Sequence, residues 1–314
     1  MNTLTLLKRN YEEISTRAAR IIREHHTFLV KEGIANIHEP PTKEVWSRLW
    51  NKFIDSADPL VKKFERDLKP LFTRQGAEVL ANMKAHPLPE SARVPKQAIT
   101  HLWKADAPKP LTATQERFIE TWLFDKKKWV KEFQGAEAPH IAGSIISGGA
   151  ATMEALPGAA TFDATEATIV SFVKTRALKS SLDVNKTTAA LLRNSITKGI
   201  QAGEATGDIA KRVRTITQFN DKVRSRRIAQ TETIGAVNKG SLEGSKQSGV
   251  VEGNQWLASL DDLVRETHEE LTTSGEMAKL GEEFSNGLEY PGDQGGDAAE
   301  VINCRCSLLP VIKK

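Results

Sequence analysis

His268, Cys304 and Cys306 are the residues of this chain best suited to chemistry. The two cysteines are the only ones in the sequence and stand one residue apart, and His268 is the single histidine after residue 140. Thiolate and imidazole are the donors zinc prefers in a tetrahedral array, so these three side chains could hold a zinc ion with Asp261 or Asp262 as a fourth ligand. An open fourth position would make a catalytic centre, with Glu232 or Asp262 as general base. Stronger zinc sequences offer two Cys-x-x-Cys pairs, so the tighter Cys-x-Cys spacing favours a metal-free packed cluster, and a bound zinc would be structural. A disulfide between the two is disfavoured, because so short a loop strains the S–S dihedral. The sequence has no Gly-rich phosphate loop, His-Glu-x-x-His helix or Gly-x-Ser-x-Gly elbow, so no catalytic residue is assigned and the expected role is not enzymatic.

Residues 269–303, between the histidine and the first cysteine, are rich in Gly and acidic side chains and form a poor core by themselves. A His268 clasp on Cys304 and Cys306 would pin that segment at both ends, and Leu308, Leu309 and Val311 would then pack as a terminal strand.

With 39% hydrophobic and 27% charged residues the composition is that of an ordinary soluble protein, and no run of about 18 apolar residues exists to span a bilayer. The first residues lack the apolar stretch of a secretory signal, which implies cytoplasmic synthesis. The net charge of +4 hides an asymmetry. Residues 174–239 hold fourteen Lys/Arg against five Asp/Glu, whereas residues 240–300 hold fourteen acidic residues against three basic ones. Lys211, Arg212, Arg214, Lys222, Arg224, Arg226 and Arg227 could meet double-stranded DNA through its phosphates without sequence preference. The plainer reading is a pair of charged faces that neutralise each other.

The elements that must carry these residues are mostly helices. Apolar residues recur at three-and-four spacing from Leu4 to Leu29, a second helix is expected after a Thr42 cap through Ile54, and a third from Pro59 to Met83. Five prolines between His86 and Pro110 predict an irregular connector. A capping sequence at Thr112 introduces a helix that Gly135 ends, and residues 142–160 suit either close packing of small residues or, preferably, a mobile loop. Further helices are expected from Asp163 to Leu178, from Thr187 to Gly199, after Asp208, and from Asp221 to Ser248. Short extended segments such as Gln255–Ala258 follow. The expectation is a predominantly helical α+β protein. It has a helical docking region at residues 1–135, a Gly/Ala/Ser-rich linker at 136–162 and a helical-then-mixed C-terminal domain at 163–314.

Within that last region Arg227, Thr231, Glu232, Asn238, Trp256-Leu257-Ala258, Asp261, Asp262, Arg265, His268, Phe284, Pro291-Gly292-Asp293 and Asn303-Cys304-Arg305-Cys306 occur in an order that resembles the phage Mu F-like head morphogenesis family, over roughly residues 185–312. The chain departs from the family pattern at Gln230, where a second Arg is usual. The resemblance implies a minor head protein of a tailed phage or prophage, located at the portal vertex or capsid interior of the virion and in the host cytoplasm during assembly. Its implied partners are the portal and major capsid proteins, and its implied work is head assembly and DNA packaging or delivery. Related architectures place a toxin domain after the Mu F-like domain, and none is expected in the eight residues after Cys306.

Read physically, Glu232 on an apolar helix face needs a cationic partner, and Arg265 is the expected one. Two function classes remain: a virion assembly protein, and a zinc-dependent hydrolase using His268, Cys304 and Cys306. The absence of a water-activating motif favours the first. On that reading Trp46, Trp50, Trp122 and Trp129 could anchor the docking region, although core packing is the expected fate of most of them, and a truncation starting near Asp163 should stay folded yet fail to enter procapsids.

Overall fold

The computed structural model describes residues 43–86, 119, 123–158, 160–202, 204–219, 223–259 and 261–313. The expected N-terminal helix, the Thr42 cap, the proline connector beyond His86, the Thr112 capping sequence, Trp122 and Lys222 lie outside them, as does the side chain of Trp46.

The fold is α+β and predominantly helical. Five helices come first: α1 (Lys43–Ala85), α2 (Lys126–Ala155), α3 (Ala167–Gln201), α4 (Thr206–Phe219) and α5 (Ser225–Ser248). Then follow β1 (Val251–Leu257), α6 (Glu266–Thr273), β2 (Met277–Lys279), α7 (Ala298–Val301) and β3 (Ser307–Ile312). The strands form one antiparallel sheet in the order β2-β1-β3, with Gln255 opposite both Met277 and Leu309.

Three expected breaks are continuous helix. In α1 the buried stripe Leu49, Phe53, Ala57, Leu60, Phe64, Leu68, Phe72, Val79 and Met83 runs without interruption, so apolar packing carries the helix through Pro59 despite the lost amide donor. In α3 Ile169, Ala177, Val184, Leu192, Ile196 and Ile200 are likewise buried along one helix, where two were expected. In α2 Gly135 lies inside the helix, and the small-residue stretch expected as a mobile loop is helical to Ala155.

The reason for that last correction is steric. A Cβ at Gly148 would sit 2.1 Å from the Val237 carbonyl oxygen of α5, one at Gly240 2.1 Å from the Ile145 oxygen of α2, and one at Gly244 2.8 Å from the Gly149 oxygen. The glycines of α2 and α5 are where two helix backbones touch, and the Thr152 and Ser241 hydroxyls join across the same seam at 2.8 Å.

The described residues fall into two compact units. One holds residues 43–65, 138–176 and 226–313, and the other residues 66–137 and 177–225 so far as these are described. In the second, Phe72 packs edge-on against Phe133 with ring centroids 4.9 Å apart, and buried Gln75 donates to Asn185 at 2.8 Å. Trp129 is buried there, 6.5 Å from Phe133, so it serves the core and not a docking surface. In the first unit the core gathers Leu242, Trp256, Leu271, Phe284, Leu288, Tyr290 and Leu308 with both cysteines. Trp50 is half-buried there and donates its indole N–H to the Arg305 carbonyl at 2.9 Å, so it too is engaged internally. A chain starting at Asp163 would lack the whole of α2 and with it the backbone seam against α5. The truncation expected to stay folded therefore loses part of its core.

Two glycine substitutions should act with opposite signs. Gly240→Ala forces α2 and α5 apart and should destabilise by about 1–3 kcal/mol. Gly135→Ala, where an added Cβ meets nothing within 4 Å, should stabilise by about 0.5–1 kcal/mol. Urea denaturation followed by circular dichroism measures both.

Candidate functional site

His268 stands in α6 with its side chain buried, and the chain returns through α7 and a tight turn to bring Cys304 and Cys306 beneath it. The Nδ1 atom of His268 lies 3.4 Å from the Cys306 sulfur and 3.9 Å from that of Cys304. The Cys306 amide points to the Cys304 sulfur at 3.5 Å. On the far side of the ring Nε2 is 2.9 Å from a Glu300 carboxylate oxygen, out of line for a straight hydrogen bond, and that oxygen also accepts from the Thr267 hydroxyl at 3.0 Å. Trp256 packs against the imidazole with centroids 4.9 Å apart. A hydrogen bond from Cys306, opposed by burial and aided by His268, holds Cys304 well below the usual thiol range. Burial, and then the neighbouring Cys304, push Cys306 well above it. The pair thus favours one thiolate beside one thiol.

Asp261 and Asp262 do not join this cluster. Asp261 accepts two hydrogen bonds from Arg305, both at 2.8 Å, and this guanidinium, against some burial, holds its carboxyl below the ordinary range. Asp262 is exposed.

The second constellation is built on Glu232. Its partner is Arg176 of α3 and not Arg265: Arg176 Nε donates to the Glu232 carboxylate at 2.7 Å, with the two side chains 0% and 9% exposed. Arg265 instead donates to the Ile302 carbonyl at 2.6 Å. The same Arg176 also donates to the Gly292 carbonyl at 3.0 Å and reaches that of Thr231 at 3.4 Å. Burial pulls its pKa down, but Glu232, Tyr290 and Asp293 outweigh burial and hold it above the ordinary value. A Cβ at Gly235 would fall 2.3 Å from the Arg176 guanidinium and 2.6 Å from the Gly292 oxygen. Gly292 itself has φ of 82°, a conformation that favours glycine. The Pro291-Gly292-Asp293 turn is thereby pressed onto α5, and Asp293 closes it by accepting from the Glu289 and Gly295 amides.

Two further motif residues are connectors. Asn303, at φ 59°, donates its amide to the Thr231 hydroxyl at 3.0 Å. Asn238, fully buried on α5, donates to the Cys306 carbonyl at 2.9 Å and accepts from the Leu308 amide at 3.0 Å, taking the place of a neighbouring strand beside β3.

The basic residues expected to meet DNA do not share one environment. Arg224 is buried, donating to Thr188 and the Val184 carbonyl and lying over Phe72, and so cannot reach a phosphate. Arg226 pairs with Asp58 and Glu65. Lys211 and Arg212 pair with Asp208 and Glu204 but stay 77% and 45% exposed, while Arg214 and Arg227 are exposed. The sequence does not single out Arg176 or Glu300. For Arg176 one signal exists, since it follows Ile169 and Phe172 on the apolar stripe of α3. Glu300 is one acid among many in its segment.

Replacing Glu232 with Gln leaves the Arg176 charge buried without its counter-charge, which should cost about 3–5 kcal/mol. The double variant Arg176→Met/Glu232→Met should recover most of that loss in thermal unfolding. If the double variant is no more stable than the single one, the loss came from shape and not charge.

Comparison with known proteins follows the same segment. Residues 190–309 match the family model described as Phage Mu protein F like protein. Over 124 residues, 38% of this chain, the sequence is 32% identical to the NAD(+)--arginine ADP-ribosyltransferase EFV of Enterococcus faecalis, and the match spans 25% of that protein's length. No solved structure matches. The segment that resembles the Mu F-like family, residues 190–309, is the one that carries Glu232, His268, Gly292 and both cysteines.

Proposed function

We propose that this chain is a minor head protein of a tailed phage or prophage, acting in head assembly at the portal vertex or the capsid interior and in DNA packaging or delivery. The observation that carries the reading is the family match over residues 190–309. The geometry agrees with it, because the motif side chains there serve as internal ties. Of the two candidate bases, Glu232 is engaged by buried Arg176, and Asp262 is exposed and stands outside the His268 cluster. The transferase activity named for the enterococcal relative forms no part of the proposal, since the shared segment is a quarter of that protein. Among the described residues no helix is long and apolar enough to cross a membrane, and the partners are taken to be the portal or major capsid protein and double-stranded DNA.

For DNA the relevant cations are Lys211, Arg212 and Arg214 on α4. Exposed ion pairs such as theirs contribute little, so phosphate can displace the carboxylates.

Co-expression with the portal and major capsid proteins of the same phage genome should yield procapsids that contain this chain, and omission of the portal protein should reduce its incorporation. Procapsids that form normally and exclude the chain would contradict the proposal. In parallel, the full chain should bind duplex DNA of any sequence at low salt, and removing the three α4 cations should flatten the log–log salt dependence by about 0.9 for each phosphate no longer neutralised. Absence of binding at low salt would remove DNA from the partners.

A further inference from the structure

The His268 cluster is arranged as a ligand set, and this holds whatever the chain does in a phage head. We infer that His268 Nδ1 and the sulfurs of Cys304 and Cys306 bind a zinc ion, which fastens β3 and the preceding turn to α6. The three donor atoms lie within 4.8 Å of one another, and all three side chains are buried. Bond lengths of about 2.3 Å to sulfur and about 2.0 Å to nitrogen, at a tetrahedral angle, separate the two donor types by about 3.5 Å. The observed nitrogen-to-sulfur separations, 3.4 and 3.9 Å, lie close to that value.

Two surrounding groups point the same way. Glu300 places a carboxylate oxygen 2.9 Å from Nε2, on the edge of the ring away from the sulfurs, where an outer carboxylate orients a metal-binding histidine. Trp256 packs against the imidazole with ring centroids 4.9 Å apart, and its buried Nε1 has no hydrogen-bond partner. Asp261 is taken by Arg305 and Glu300 is on the opposite edge of the imidazole, so the described residues supply three donors and the fourth position goes to water. Soft thiolates with one imidazole select zinc over magnesium or calcium, which take oxygen ligands.

The full chain, purified without chelator, should carry about one zinc per molecule by plasma mass spectrometry. Replacing zinc with cobalt should produce a thiolate-to-cobalt charge-transfer band in the unmodified protein, a reading that needs no variant to fold. Glu300→Gln, which leaves every ligand in place, should weaken zinc affinity about 10- to 100-fold in a chelator competition. Cys304→Ser should weaken the cobalt band, Cys304→Ser/Cys306→Ser should abolish it, and Asp262→Ala should leave both readings unchanged. Zinc-free protein that also gives no charge-transfer band with cobalt would overturn the assignment, and so would a band that survives loss of both cysteines.

Discussion

A single buried guanidinium determines how the C-terminal unit is put together. Arg176 is fully excluded from water, and a charge in that position must be matched by acceptors on every side. It takes the Glu232 carboxylate and the Thr231 carbonyl from α5, and the Gly292 carbonyl from a turn more than a hundred residues away. Three segments distant in sequence are therefore fixed by one side chain. The geometry leaves no room for a side chain at Gly235 or Gly292, which is why two glycines face each other beside the charge. Such a pair contributes less to net stability than its Coulomb energy suggests, but removing one partner alone is costly, so it enforces one arrangement.

The acidic, glycine-rich stretch after α6 depends on that arrangement and on the His268 cluster. It contributes Phe284, Leu288 and Tyr290 to the core, and the residues between them are largely exposed. Its order comes from ties: Asp293 closing its own turn, Gly292 on Arg176, Asn303 on Thr231, and the two cysteines under His268. Asn238 and the Asp261–Arg305 pair hold the returning strand on either side of Cys306. Three of these ties end on α5 or α6 and the Gly292 tie ends on α3, so these helices form the frame and the irregular segment is draped on it.

This distribution explains how much of the structure is legible in the amino-acid sequence. The helical character, the strand near Trp256 and the terminal strand at Leu308 follow from local periodicity and lie where the pattern puts them. The proximity of His268 to the cysteines is inferable because rare residue types stand out against a common background. The partner of Glu232 is not, since Arg265 and Arg176 are equally plausible cations until α3 is packed against α5. Glycine in residues 142–160 reads as flexibility, whereas a Cβ at Gly148 would strike the α5 backbone and one at Gly149 the Phe162 ring. Composition alone does not separate these two uses of glycine; only the matching small residues Gly240 and Gly244 on α5 do. The basic stretch shows the same limit, because Arg224 and Arg226 are spent inside the protein while their neighbours on α4 are exposed.

Under the proposed role in a phage head this construction has a physical sense: a block whose motif residues are largely turned inward presents one rigid shape to its neighbours. The claim underneath is that Arg176 couples α5 to the distant Gly292 turn. Native-state hydrogen exchange on an Arg176→Met variant measures that coupling directly. Protection should fall together at the amides of residues 290–293, at Asn303 and along the first half of α5, while β1 and β3 keep most of theirs. Loss confined to the Gly292 turn, with α5 protected as in the unmodified chain, would contradict the account.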